Sequence, residues 1–282
     1  MSVVMQNLDA EDNFIIKSFF DNGIHYNLNQ DGFRTKDLYQ NCEVLILGDS
    51  QTYGLGIPEN LRWSNILEKK TNKSFINLAQ CGDSTVGQVS KAFSYFEKYG
   101  HPKIIIALLP FSRVDIPENN NENNFFSWGR KSKNVKTLLL KNYYTKYSKH
   151  PHDLSKILNS DFGLFYSQNY MFMLNQYCVS NNIKLIWTFL EIDYLNSLNN
   201  LCVNKKFYNN YIDLNISKWE YDKKNKKIVR SDLFNCHEDE KNYYFDFAAD
   251  RENGLENSHW GYHINIHIAE DLYKYMKESV YI

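Results

Sequence analysis

The residues best placed to do chemistry gather in one stretch, Val44-Leu-Ile-Leu-Gly-Asp-Ser-Gln-Thr-Tyr-Gly-Leu-Gly56. An apolar strand ends there at Gly48, and Ser50 follows at its carboxyl end with Asp49 beside it. In open α/β sheets ligands bind outside the carboxyl ends of the strands, near helix N-termini. Unpaired backbone N–H groups at such a place can stabilise an anion. Gly48, Gly54 and Gly56 allow the tight turns and close backbone approach of a loop of this kind. Two other readings use the same residues. A phosphate cradle also places Gly, Ser and Thr after a first strand, although Asp49 counts against it, and the Gly-Lys-Ser/Thr of a P-loop is absent. A plain strand-to-helix turn would use Ser50 and Thr52 as caps. On this loop alone the functional and the structural readings stand level.

Candidate bases and metal ligands are fewer than the eight histidines suggest. His259, His263 and His267 recur at the spacing of one helix face, which would suit a metal. No His-Glu-x-x-His acid accompanies them, so exposed or helix-capping roles fit better. His25, His101, His150, His152 and His237 stand in polar surroundings with no recognisable spacing. The five cysteines (Cys42, Cys81, Cys178, Cys202 and Cys236) are odd in number and form no Cys-x-x-Cys pair. That argues against both a disulfide framework and a zinc site. Neither a metal nor a cofactor is expected.

The elements that must position Ser50 are legible around it. Residues 43–47, 75–78, 103–109 and 183–189 are short, continuous apolar runs, as expected of parallel strands covered on both faces. Helical spacing lies between them: Trp63, Ile66 and Leu67 share one face, and Val89, Phe93 and Phe96 share another. Residues 166–179 are apolar all round and predict a helix before the fourth strand, and a last helix is predicted over 264–276. This alternation predicts a three-layer α/β/α sandwich on a mostly parallel, flavodoxin-like sheet. One domain over 1–282 is expected, with an N-terminal extension at 1–40 and an insertion or lid at 191–244. The Asn-rich stretch 115–130 reads as a loop over the sheet edge, and the basic, Tyr-rich stretch 131–149 as a solvated helix face.

Composition narrows the function. With 282 residues and a formal net charge of −1, the chain can bury a sizeable core and carries no long basic block. Nothing in its charge points to nucleic acid or an anionic membrane surface. No apolar run approaches the ~20 residues of a membrane span, and the acidic start lacks the apolar core of a signal peptide. A cytoplasmic location is the default expectation. The abundance of Tyr and Phe, at 21 and 18 residues, reads as the bias of an AT-rich genome rather than as a functional signal.

Three blocks in order give the chain a resemblance. Gly48-Asp-Ser50 after a buried strand resembles block I of the SGNH/GDSL hydrolases, and Asn29-Gln-Asp-Gly-Phe-Arg34 looks like the segment preceding it in many bacterial and phage members. Asn77-Leu-Ala-Gln-Cys-Gly82 resembles block II, and Glu256-Asn-Ser-His259, followed by Trp260-Gly261, resembles block V. The likeness spans roughly residues 27–275 and implies a serine ester hydrolase. Ser50 is then the nucleophile, His259 the general base, and Glu256 its orienting acid, with Asp250 or a backbone carbonyl as the fallback. Block V normally carries Asp where this chain has Glu256. The N–H groups of Ser50 and Gly82 would form the oxyanion hole. Block III normally adds an Asn, but here the third strand runs into Pro110-Phe-Ser-Arg113. Ser112 could supply a hydroxyl in its place, and Asp49 and Arg113 could contact substrate. The expected partner is a small ester or an acylated glycan. Two alternatives stay open: an SGNH-like domain that binds a glycan or protein without turnover, and an O-acyltransferase using the same Ser and His.

Overall fold

The structure is a computed structural model describing residues 18–21, 24–40, 42–55, 57–110, 113–117, 126–127, 130–131, 135–139, 160–189, 219–222, 227–230 and 262–279. At its centre β3 (Val44–Leu47), β4 (Phe75–Asn77), β5 (Ile104–Leu109) and β10 (Lys184–Phe189) form a parallel four-stranded sheet in the order β10-β5-β3-β4. All four predicted strands are therefore present, each within one residue of its expected limits.

Alternation along each strand sorts the side chains into two cores. Leu45 and Leu47 of β3 join Ile105, Ala107 and Leu109 of β5 beneath two helices, α3 (Thr85–Tyr99) and α4 (Ser160–Ser180). Val44 and Ile46 face the other way with Ile104, Ile106 and Leu108, against α2 (Trp63–Thr71) and α5 (Tyr262–Glu278). This is the expected α/β/α sandwich. Each fully buried Leu or Ile stabilises it by roughly 1.5–3 kcal/mol, which is why near-continuous apolar runs are needed in the strands.

The strand order has a consequence for ligand binding. From β3 the chain passes through α2 to β4 on one side. It then returns through α3, on the opposite face, to β5 on the other side of β3. A constant crossover hand requires that change of face when direction reverses. The reversal point lies between β3 and β5, and crevices at such switch points hold ligands in this class of sheet.

Two expectations need correction. The stretch 115–130 is not a plain loop: β6 (Arg113–Pro117) begins before it and pairs antiparallel with β9 (Val135–Leu139), while β7 (Phe126–Ser127) pairs with β8 (Arg130–Lys131) between them. For the same reason 131–149 does not start as a helix. Val135 and Thr137 are β-branched residues two apart in β9, a strand signal that the charge of the segment obscures. Within 191–244 the described residues form one hairpin, β11 (Trp219–Asp222) with β12 (Lys227–Arg230). At the N-terminus β1 (Ser18–Asp21) pairs with β2 (Ile24–Asn27), and Phe33 and Leu38 beyond it are buried in the larger core.

Candidate active site

Ser50 is the first residue of α1 (Ser50–Tyr53), a single turn that starts three residues past the end of β3. The cap is Asp49, not Ser50 or Thr52: its Oδ1 accepts from the Gln51 N–H at 2.9 Å, and its backbone is extended. Asp49 is 3% exposed and Ser50 6%. Gly48 is required by contact, because a Cβ there would run into the side chain of Thr52, itself fully buried.

The neighbouring strand leaves the sheet beside this turn. Ladder bonds continue past the end of β4, with the Leu78 N–H donating to the Ile46 oxygen at 2.9 Å and the Gln80 N–H to the Gly48 oxygen at 3.2 Å. Ser50 and Gly82 each follow that last bonded pair by two residues. Gly82 has φ +72° in a turn closed by the Asp83 N–H on the Gln80 oxygen at 3.3 Å. A side chain would be strained at that φ whatever the space around it. Asn77 joins the two loops. Its Oδ1 accepts from Ala79 N–H at 2.9 Å, while Nδ2 donates to Ser64 Oγ at 3.0 Å and to the Thr52 oxygen at 3.3 Å.

Beneath the serine turn lie two buried arginines. The segment before β3 bends around Asn29, whose Oδ1 accepts from the N–H groups of Asp31 and Phe33 at 3.0 and 2.9 Å. That bend directs Arg34 inward. Its Nη1 donates to the oxygens of Tyr53 (3.3 Å) and Gly54 (2.5 Å), and its Nη2 to that of Ile57 (2.8 Å). The same guanidinium stacks over Tyr26 at 4.3 Å. Arg62 donates to the oxygens of Arg34 and Tyr53 at 2.7 and 3.4 Å and pairs with Glu59 at 3.2 Å. Burial, then the neighbouring Arg34, pushes the Arg62 pKa down to about 9. Burial lowers Arg34 as well and raises Tyr53. Both arginines remain cationic at neutral pH, and the main-chain oxygens around them supply the compensating dipoles.

The C-terminal helix is tied to the same end of the sheet. Asn265 is fully buried in α5, and its Oδ1 accepts from the N–H of Trp63, the first residue of α2, at 2.9 Å. Residue 259 precedes the start of α5 by three positions.

Of the expected site residues, the structure brings the Ser50, Asp49 and Gly82 turns together at the carboxyl ends of β3 and β4. Ser112, Asp250, Glu256 and His259 lie outside the described residues, as does Gly56, and Arg113 is described only as the first residue of β6. Among the described residues no group of His, Cys, Asp and Glu could hold a metal, and no helix is long and apolar enough to cross a membrane. The supporting roles of Arg62 and Asn265 were not anticipated. The available signal was a polar residue on an otherwise apolar helical stripe, as with Asn265 beside Ile268, Ala269 and Leu272.

No family model and no curated protein matches the sequence. Solved structures do show a likeness. One is a protein assigned to the G-D-S-L lipolytic family from Desulfitobacterium hafniense DCB-2, at 14% identity over 83% of this chain and 99% of that one, with a TM-score of 0.43. A second is an acetyl xylan esterase from the rumen bacterium Butyrivibrio proteoclasticus, at 12% identity over 91% of this chain and 66% of that one, with a TM-score of 0.44. A third is a carbohydrate esterase family 2 enzyme with its carbohydrate-binding domain, from Corynascus thermopiles. There the identity is 10%, the coverage 88% and 69%, and the TM-score 0.40.

Proposed function

We propose that this chain is a serine ester hydrolase of the SGNH type, acting on a small ester or an acylated glycan. The observation that carries this reading is the pairing of the Ser50 and Gly82 turns, held in register by the Gln80–Gly48 bond at the carboxyl end of a parallel sheet. A nucleophile and an oxyanion donor need that juxtaposition, and a plain structural turn does not.

In the proposed reaction Ser50 Oγ attacks the acyl carbon as His259 takes its proton. The N–H groups of Ser50 and Gly82 hold the tetrahedral oxyanion, with the Ser112 hydroxyl as a third donor. Collapse expels the alcohol, which takes the proton from His259. Water then attacks the acyl-enzyme by the same route and frees Ser50. Glu256 orients the imidazole, and Asp250 is its substitute. Support for His259 comes from the tie between Asn265 and Trp63, since it fixes the helix that follows His259 to the end of the sheet where Ser50 lies. Asp49 and Arg113 complete the proposed substrate-contacting set.

A second reading, binding of an acylated glycan without turnover, is favoured by the Pro110-Phe-Ser-Arg113 sequence, which lacks the block III Asn. A fluorophosphonate probe with intact-mass analysis separates the two. Covalent addition to the wild type but not to Ser50→Ala is expected, and a folded wild type that stays unlabelled would favour the binding reading. Added sugar acceptors then distinguish hydrolysis from acyl transfer.

A further inference from the structure

The turn that presents Gly82 is closed from within by a lysine of the following helix. Lys91 is 7% exposed, and its Nζ donates to two side-chain acceptors at once. It donates to Gln80 Oε1 at 3.1 Å and forms an ion pair with Asp83 Oδ2. Gln80 and Asp83 are the first and last residues of the turn that contains Gly82. The other oxygen of the Asp83 carboxylate accepts from the Ser84 N–H at 3.1 Å, and Ser84 caps α3 through the Gly87 N–H at 3.1 Å. A long side chain reaching back toward the N-terminus of its own helix is the natural direction for such a contact.

This arrangement is expensive as a stability device. Asp83 is 1% exposed, and removing both ions from water costs several kcal/mol that their attraction only partly returns. Buried ion pairs of this sort can often be replaced by apolar residues without loss of stability. What the ammonium does that an apolar residue cannot is hold both ends of one turn to a fixed geometry. At the middle of that turn the backbone sits at φ +72°, and the direction of the Gly82 N–H follows from it.

We infer that Lys91 and Asp83 are positioning residues for the oxyanion, clasping the Gly82 turn so that its N–H meets the charge that develops on an ester oxygen. The inference rests on the esterase reading above. A lost oxyanion donor costs about a hundredfold to a thousandfold in rate, and a donor that is only displaced costs part of that, without weakening ground-state binding.

The test uses Lys91→Met and the double variant Asp83→Asn/Lys91→Met, which removes the pair without stranding a buried charge. Turnover of p-nitrophenyl acetate, affinity for an alkyl boronic acid that forms a tetrahedral adduct on serine, and the thermal midpoint are measured on each. The expected result is a folded double variant whose kcat falls about tenfold to a hundredfold with KM unchanged. Boronate affinity should fall by a similar factor. A folded double variant with wild-type kcat and boronate affinity overturns the clasp while leaving the esterase reading intact. Failure of both variants to fold assigns the pair to stability and overturns it too. A wild type that neither turns over the ester nor takes up a fluorophosphonate removes the esterase reading itself, and the clasp with it.

Discussion

Arg62 donates through Nη1 to the backbone oxygen of Arg34 at 2.7 Å, so the two arginines under the serine turn are linked through the main chain. Arg34 in turn holds the oxygens of Tyr53, Gly54 and Ile57, and the turn bearing Ser50 ends at Tyr53. The two guanidiniums therefore act as one support. A planar fork with five donors can span three carbonyls at fixed angles, and an ammonium cannot.

Arg34→Lys should therefore lower stability by about 2–4 kcal/mol, because it leaves buried carbonyls without donors. Urea unfolding of the wild type and the variant measures this. An unchanged midpoint would show that the clamp is dispensable.

Gly48→Ala is expected to cost about 3 kcal/mol or more, since the new methyl group meets Thr52 and the turn must shift. The same substitution should slow probe labelling of Ser50 in the protein that remains folded. Thermal denaturation beside a labelling time course reads both effects.

Removing the acceptor on α5 should loosen the far end of the chain. Asn265→Leu leaves the Trp63 N–H buried without its partner and should cost about 1–3 kcal/mol. Hydrogen exchange at the Trp63 amide gives a local readout. Protection equal to that of the wild type would contradict the bond.

The proposed base sets a pH dependence. If His259 takes the Ser50 proton, kcat/KM should rise with pH along a limb centred at about 6.5, the ordinary histidine value. A flat profile through that range would point to another base.

A separate acid-side effect belongs to Glu43. Its carboxylate accepts from the Ser74 N–H at 3.2 Å, and this bond, followed by Lys103 and Lys73, holds its pKa below the ordinary 4.5. The folded state thus favours the charged form. Its contribution is present above pH 4.5 and is lost as pH falls through the folded value. Thermal midpoints between about pH 6 and pH 3 should drop less steeply for Glu43→Gln than for the wild type.

The sheet was legible because buried parallel strands are short apolar runs, and Val44-Leu-Ile-Leu47 or Ile104-Ile-Ile-Ala-Leu-Leu109 admit few other readings. The Ser50 turn was legible for a related reason: Gly, Asp and Ser directly after such a run mark its exit. The ladder from Arg113 to Leu139 was not, because its strands are only two to five residues long and separated by Asn-rich stretches without period. Nor could periodicity reveal that Lys91 turns back to its own N-terminal turn, or that Arg34 turns inward. A charged residue in a sequence reads as solvated until a specific set of acceptors is known; for Arg34 those are main-chain oxygens that any sequence possesses, and for Lys91 they are the side chains of Gln80 and Asp83.

The bond from Asn265 to the Trp63 N–H joins positions 202 residues apart, and it gives assembly an order. During synthesis β3, β4 and β5 emerge long before α5, together with the Ser50 and Gly82 turns. Until residues 262–279 arrive, Val44, Ile46 and Ile106 lack the helix that helps to cover them, and the first turn of α2 lacks its acceptor. Loop closure over so long a separation is slow. The Ser50 turn is thus built early on a half-covered sheet, and an interrupted or slowed translation would leave an adhesive apolar face on an otherwise native scaffold.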